Sequence, residues 1–303
     1  MLSAVRNSPI IRSSRSVVQC ILTDPSNRGA RGRRLLMGLA WQAWKRTISL
    51  PLVLTLDNGL LFIADPRSGN SVGAIYTRIY ESPHVEFVRR WVIPGGTLCD
   101  VGAHVGLFTL LIAPLFNTAW CFEPAADVAA LLRRNLALNG LAAFQACELA
   151  VSCTPGKRIL VSDGPFSGES RLVDGVAPSG LVSSSVPTVR LDDVLGQSVE
   201  LSFLKVDVEG HEPEVLEGAA EALGRSRRGL LMFEANRTGD ALAVVERIGW
   251  LPFALDEQGR PTISRDYFER AQNLYACGPR HPLTAILLGL HGASENQSPE
   301  PNR

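Results

Sequence analysis

No apolar run in this 303-residue chain reaches 18 residues, and residues 285–290 are far too few to cross a bilayer, so the chain is expected to be soluble. Cys-x-x-Cys is absent. The six cysteines (Cys20, Cys99, Cys121, Cys147, Cys153 and Cys277) are scattered, and three lie in or beside apolar strand-like runs where a thiol is ordinarily a small hydrophobe, which points to a reducing compartment. There is no internal repeat. Thirty basic residues balance thirty acidic ones, so nothing global points to nucleic acid. The balance hides an asymmetry: residues 1–46 carry nine Lys/Arg against Asp24 alone, an excess of eight positive charges. With 46% apolar residues the chain can bury a sizeable core in one or two domains.

What is present is a loop. Residues 96–101 are apolar and β-branched, as in a buried parallel strand, and residues 107–112 continue at helical spacing. Between them stands Asp100-Val101-Gly102-Ala103-His104-Val105-Gly106. Glycines at such a strand-to-helix turn permit unusual φ and let a ligand approach the backbone beside a partly positive helix N-terminus. A dinucleotide loop, G-x-G-x-x-G, would need glycines at 104 and 107, where His104 and Leu107 stand, which argues against NAD. Asp100 would repel a pyrophosphate but suits the ammonium or sulfonium end of S-adenosylmethionine. One strand later, residues 120–122 end at Glu123-Pro124, 21 positions after Gly102, where a mononucleotide-binding unit places the acid that accepts from ribose hydroxyls.

The rest of the pattern alternates strand and helix. It predicts a Ser/Arg-rich, poorly ordered leader over 1–30, a basic amphipathic helix over 31–46, a hairpin over 52–55 and 60–64 turning at Asp57-Asn58-Gly59, and a helix over 81–92. Strands are expected at 96–101, 119–122, 143–151, 157–161, 203–206, 230–233 and 273–277. Helices are expected at 125–138, 212–223 and 240–248, with a Gly/Ser-rich excursion at 164–185 and a polar, disordered end at 294–303. This is a doubly wound α/β protein. The divisions expected are 1–46 as leader, 47–93 as hairpin and helix, 94–281 as the main domain and 282–303 as a tail.

A second constellation begins inside the strand at 203 and runs past its end: Leu204-Lys205-Val206-Asp207-Val208-Glu209-Gly210-His211-Glu212. Ligands of an open parallel sheet bind beyond the carboxyl ends of its strands, so Asp207 and Glu209 should face the cleft of Asp100 and Glu123, with Glu234 at the end of the next strand. Asp207, Glu209, His211 and Glu234 are candidate bases for a hydroxyl or amine. The pair Asp207/Glu209 is alternatively a divalent-metal ligand set. A zinc-protease helix is excluded because Val215 stands where its second histidine belongs.

These residues, with Phe122-Glu123-Pro124, Asn135, Leu138-Asn139-Gly140 and Thr188-Val189-Arg190-Leu191-Asp192-Asp193, resemble the FkbM-type S-adenosylmethionine-dependent methyltransferases of the class I superfamily, over about residues 81–277. The resemblance implies a mostly parallel seven-stranded sheet with its last strand antiparallel and helices on both faces, here with an N-terminal extension. It implies O-methylation of a sugar or natural product. It further implies that Asp100, Gly102 and Gly106 contact the methionine part of the cofactor, with Ala103, His104 and Pro124 beside them, that Glu123 contacts the ribose, and that Asp207 lines the methyl-transfer cleft. His104 replaces the asparagine common in the family.

The strand end at 207 lacks the Pro-Pro-aromatic sequence of enzymes that methylate bases of nucleic acids, so a small-molecule or glycan acceptor is expected. N-methylation of a small molecule and non-catalytic cofactor binding are the alternatives. Residues 31–46 read as a helix packed on the domain, as a weak contact with an anionic membrane through Trp41 and Trp44, or as part of a mitochondrial transit segment. The expected location is accordingly cytoplasmic, membrane-peripheral or mitochondrial.

Overall fold

The structure, a computed structural model, describes residues 14–289 apart from 165, 176, 236 and 237. The expected disordered end at 294–303 lies outside these residues. Helices α1 (Ser14–Thr23) and α2 (Arg31–Thr47), the hairpin β1 (Leu52–Thr55) and β2 (Leu61–Ala64), α3 (Gly69–Tyr76) and α4 (Ser82–Trp91) form a layer ahead of the main sheet. The expectation of a disordered leader fails for residues 14–30. Val17 and Ile21 of α1 are buried, and the buried Asn27 side chain donates to the carbonyls of Ile21 and Tyr76 while accepting from Arg78 N–H. Helix α3 escaped the sequence pattern because its Gly-Asn-Ser start has low helix propensity; packing overrides it.

The core then runs β3 (Gly96–Val101), α5 (Leu107–Ile112), β4 (Phe116–Phe122), α6 (Ala126–Leu138) and β5 (Phe144–Cys147). A second sheet follows, made of β6 (Ala150–Val151), β7 (Gly156–Ser162), β8 (Arg171–Val173) and β9 (Val182–Val189) in the order β6-β9-β7-β8. The expected strand over 143–151 is thus two strands in different sheets. The excursion at 164–185 contains β8 and the start of β9, whose Ser183-Ser184-Ser185 faces solvent and so lacks the apolar alternation that marks a strand.

After α7 (Leu191–Leu195) come β10 (Leu201–Val206), α8 (Glu212–Glu217), α9 (Ala220–Arg225), β11 (Leu230–Glu234), α10 (Thr238–Arg247), β12 (Leu251–Leu255), β13 (Pro261–Thr262), α11 (Arg265–Phe268), β14 (Asn273–Cys277) and α12 (Pro282–Leu287). The main sheet is ordered β5-β4-β3-β10-β11-β14-β12, with β14 antiparallel to both neighbours and the two-residue β13 added at the edge. A seven-stranded sheet with its last strand antiparallel is what the resemblance implied, but the strand at Leu251–Leu255 was not predicted from the pattern, and the one predicted at 157–161 belongs to the second sheet. Alternation along each strand feeds two cores. Leu98, Phe203, Met232 and Tyr275 face the N-terminal layer, α5 and α6, whereas Cys99, Leu204, Leu231 and Leu274 face α7 to α10. The segment 282–287, expected in the tail, is ordered: His281 Nδ1 accepts from Leu283 N–H at the start of α12, and Leu283 is buried.

The hairpin is held by asparagines rather than by a third strand. Asn135 of α6 accepts from Ile63 N–H at 2.8 Å and donates to the Val105 carbonyl at 2.8 Å. One turn later Asn139 accepts from Leu61 N–H and donates to Leu61 C=O, both at 2.7 Å. The side chains thus satisfy the edge of β2 as a strand would.

The single helix expected over 212–223 is broken at Gly218-Ala219. Gly218 lies so close to the second sheet's lead-in that a Cβ would meet Ser152 O at 2.2 Å. Its carbonyl accepts from Asp192 N–H, and the Asp192 carboxylate caps the next helix by accepting from Glu221 N–H at 3.2 Å and Ala222 N–H at 2.8 Å. Asp192→Ala is therefore expected to cost about 1–2 kcal/mol, read as a lower urea midpoint. Asp193→Ala, whose side chain is largely exposed, should leave the midpoint unchanged.

Candidate functional site

Four parallel strands, β3, β4, β10 and β11, end along one edge and deliver Asp100, Glu123, Asp207 and Glu234 to it. The connecting loops are laced together. Gly102 N–H and Ala103 N–H both donate to Phe122 O at 3.0 Å, and Asp207 N–H donates to Val101 O at 3.0 Å. His104 and Glu209 each adopt left-handed backbone, with φ of 50° and 54°. Side chains with a Cβ tolerate this poorly, asparagine and histidine better than most, and such strain gathers at functional loops.

Gly102 and Gly106 have φ of 81° and 82°, as a glycine turn requires. Their missing side chains make room for neighbouring parts of the protein. A Cβ on Gly102 would lie 1.9 Å from Asp207 O, and one on Gly106 would lie 2.6 Å from Leu132 Cδ1. Gly102 thus lets its loop pack on the Asp207 loop, and Gly106 lets the start of α5 pack on α6. Ala103 is buried, and Pro124 is half-buried beside Glu123.

The Asp100 side chain has no exposed surface, and its partners are buried ones. It accepts from Thr109 Oγ1 at 2.5 Å and lies 3.7 Å from Nζ of Lys205, its cross-strand neighbour on β10. Lys205 in turn donates to Asp207 Oδ2 at 3.0 Å and stands 5.5 Å over the Phe108 ring. Burial works against its charge, but Asp207 and Asp100 outweigh that and raise its pKa. For Asp100, burial dominates and raises the pKa, with Lys205 and Thr109 acting in the opposite sense. One buried ammonium therefore links a core carboxylate to Asp207, which stays partly open to solvent.

Glu123 is buried at the end of β4. Oε2 accepts from His104 N–H at 3.1 Å and Oε1 from Ala125 N–H at 2.9 Å. Burial nevertheless pushes its carboxyl up to about 7, because these two bonds offset only part of the lost hydration. Burial also pushes the His104 ring down to about 4, with a hydrogen bond to the Phe166 backbone acting in the opposite sense.

One carboxylate oxygen from each of Asp207, Glu209 and Glu234 falls within 4.8 Å of the others, a grouping suited to protonated amines or a divalent cation. His211, a candidate base, is 3.0 Å through Nε2 from Ser152 Oγ and 3.6 Å through Nδ1 from Glu214. Those contacts tie it to the start of the second sheet. Beside the start of α6, a cleft of about 330 Å³ is walled by Phe166, Leu160 and Val182 and by Ser162, Ser167, Ser170 and Ser184.

Three residues were not among the sequence candidates. Lys205 carried a legible signal, a lysine inside an otherwise apolar strand. Glu212 braces the Asp207–Gly210 turn by accepting from Val208 N–H at 3.3 Å and Gly210 N–H at 3.0 Å; burial pushes it up to about 6. His84 comes from α4, where no motif surrounds it. Its Nδ1 is 2.5 Å from the Tyr275 hydroxyl, its Nε2 is 3.2 Å from Asn273 Nδ2, and Asp207 and Lys205 both act on it electrostatically. Burial holds it near 4, so it is neutral at pH 7.

The profile of the methyltransferase FkbM domain matches residues 100–258, just over half of the chain. Methyltransferase sdnD of Sordaria araneosa is 33% identical over 156 residues, covering 41% of this chain and 60% of the relative. Methyltransferase 1 of Beauveria bassiana is 30% identical over 142 residues, covering 40% and 57%. The matches thus span less than two thirds of either relative's length. A solved methyltransferase FkbM from Methylobacillus flagellatus KT overlays 81% of this chain and 60% of its own, at 15% identity and a TM-score of 0.40.

Removing the buried ammonium should be costly. Lys205→Met leaves Asp100 uncompensated in the core, and a loss of about 3–5 kcal/mol is expected from denaturant unfolding. Adding Asp100→Asn to that variant should recover much of the loss. No recovery would mean that the lysine stabilises the fold by packing alone.

Proposed function

Because the chain belongs to the methyltransferase FkbM domain family, we propose that it transfers a methyl group from S-adenosylmethionine to a hydroxyl of a sugar, glycan or natural-product acceptor. The observation that carries this reading is Glu123: a buried carboxyl at the end of β4 that holds one backbone N–H on each oxygen and keeps lone pairs for further donors. Ribose hydroxyls are such donors. The loop at residues 102–106 would hold the methionine part, with Glu123 on the ribose. S-adenosylmethionine, when bound, supplies an already activated methyl group.

The protein's part is then orientation and one proton. Alignment of nucleophile with methyl donor can supply about 7–11 kcal/mol of the barrier. Asp207, partly exposed and oriented by Lys205, is the group that takes the acceptor's hydroxyl proton. Glu209 and Glu234 stand beside it as further acceptors. The serine-lined cleft supports a hydroxylated acceptor, since serines exchange hydrogen bonds with alcohols while Phe166 and Leu160 offer an apolar wall.

Asp207→Asn keeps the shape and removes the charge. It should lower methyl transfer about 10²–10⁴-fold, followed as labelled methyl entering an extract component, while S-adenosylhomocysteine affinity changes by less than about three-fold. Unchanged turnover would remove Asp207 from the reaction. Activity abolished by a chelator and restored by magnesium would instead assign the three carboxylates to a cation.

Cofactor binding should also depend on pH. In the free protein Glu123 titrates near 7; hydroxyl donors favour its charged form, lower its pKa and expel a proton on binding. Affinity for S-adenosylhomocysteine should therefore rise roughly ten-fold or more between about pH 5.5 and 7.5 and then level off. Glu212 titrates in the same range, so Glu123→Gln is the control: it should flatten the profile. Calorimetry showing no binding by the well-folded wild type would sink the assignment.

A further inference from the structure

The structure corrects which side of α2 is free. At about 100° per residue, Leu36, Leu39, Ala40 and Ala43 share one arc of the helix, with Arg33 on one flank and Arg46 on the other. Gly38 and Trp41 lie opposite and are buried against α1 and α3. Trp44, which a membrane contact was expected to use, is half-buried and donates from Nε1 to Leu50 O at 2.7 Å. The leucines face outward instead: Leu36 is 70% and Leu39 52% exposed. Ile48 and Leu50, directly after the helix, are exposed as well.

Among the described residues, six of the eleven exposed large hydrophobic side chains fall between Leu22 and Val53, so the apolar surface is concentrated here rather than scattered. From Asp24 to Asp57 there is no acid, while Arg28, Arg31, Arg33, Arg34, Lys45 and Arg46 intervene. Arg34 is turned inward, donating to the carbonyls of Ala74 and Ile75, and Lys45 is half-buried over the Trp41 ring.

We propose that this face of α2 docks on an anionic lipid bilayer, with Leu36 and Leu39 entering the interface and Arg33 and Arg46 meeting lipid head groups. Charge decides the occupant. A symmetric dimer would set this arginine-flanked stripe against its own copy with no acid to answer it. Nucleic acid would engage the arginines but has no apolar layer to receive two leucines. A bilayer surface of negative charge satisfies both at once. The helix lies in the surface and does not cross it, as no helix among the described residues is long and apolar enough to span a membrane.

The full chain should float with vesicles containing about 30% phosphatidylserine, bind pure phosphatidylcholine vesicles far less, and come off at about 0.5 M salt. Leu36→Ser with Leu39→Ser changes only exposed side chains, so the thermal midpoint should hold while vesicle affinity falls roughly ten-fold or more. Arg33→Gln with Arg46→Gln should weaken binding and remove most of its salt dependence. Three results would each overturn the proposal: no flotation of the wild type, unaltered flotation of the leucine variant, or a wild-type dimer that the leucine variant turns into monomer without any vesicle binding.

Discussion

The arrangement turns on one ammonium group buried between two carboxylates. Lys205 sits directly across from Asp100 because β3 and β10 run parallel in that register, and it reaches forward to Asp207 because the alternation of β10 puts residues 203 and 205 on the same face. A charge in that position is tolerable only with partners, and a lone Asp100 there would be equally costly. The pair thereby pins the start of the Asp207 loop to the interior of the sheet. The loops at 104 and 209 then accept left-handed backbone because hydrogen bonds to Phe122 and Glu212 hold the chain on either side.

The same constraint separates roles that the sequence runs together. Asp100 and Asp207 stand in similar settings, acids at strand ends beside glycines. Only Asp207 meets solvent; Asp100 acts through the lysine. Glu123 is held by backbone N–H groups instead, and burial keeps its pKa elevated. His84 shows a further division, since a helix that precedes the sheet in the chain sets it against Tyr275 and within electrostatic reach of Asp207.

Much of this was legible without coordinates. Parallel strands have apolar cores and end in functional residues, so Asp100, Glu123, Asp207 and Glu234 could be assigned to one edge from pattern alone, and the seven strands with an antiparallel last member followed from resemblance. Periodicity says which face a residue takes, not what stands opposite it. Nothing in the pattern therefore announces that Thr109 and Lys205 stand against Asp100, or the Asp207 carbonyl against Gly102. Strand β9 was hidden because its serines are exposed on the side that would have announced it. The break at Gly218 was hidden because the cap, Asp192, lies 26 positions earlier in the chain. The order of α1 rests on Asn27 reaching Tyr76, a contact with no local trace.

Asn135 and Asn139 have a consequence for where the folding unit begins. They complete the hairpin edge from one side and hold the Val105 carbonyl of the glycine loop from the other, while Phe62, Ala64, Val85 and Val88 share a core with α5 and α6. A polypeptide started at Gly96 would contain every strand of the main sheet and every residue of the family match, yet it would emerge with two asparagines stripped of their β2 partners and one apolar face uncovered. The recognisable domain and the cooperative domain are different lengths of chain, and the second reaches back at least to residue 52.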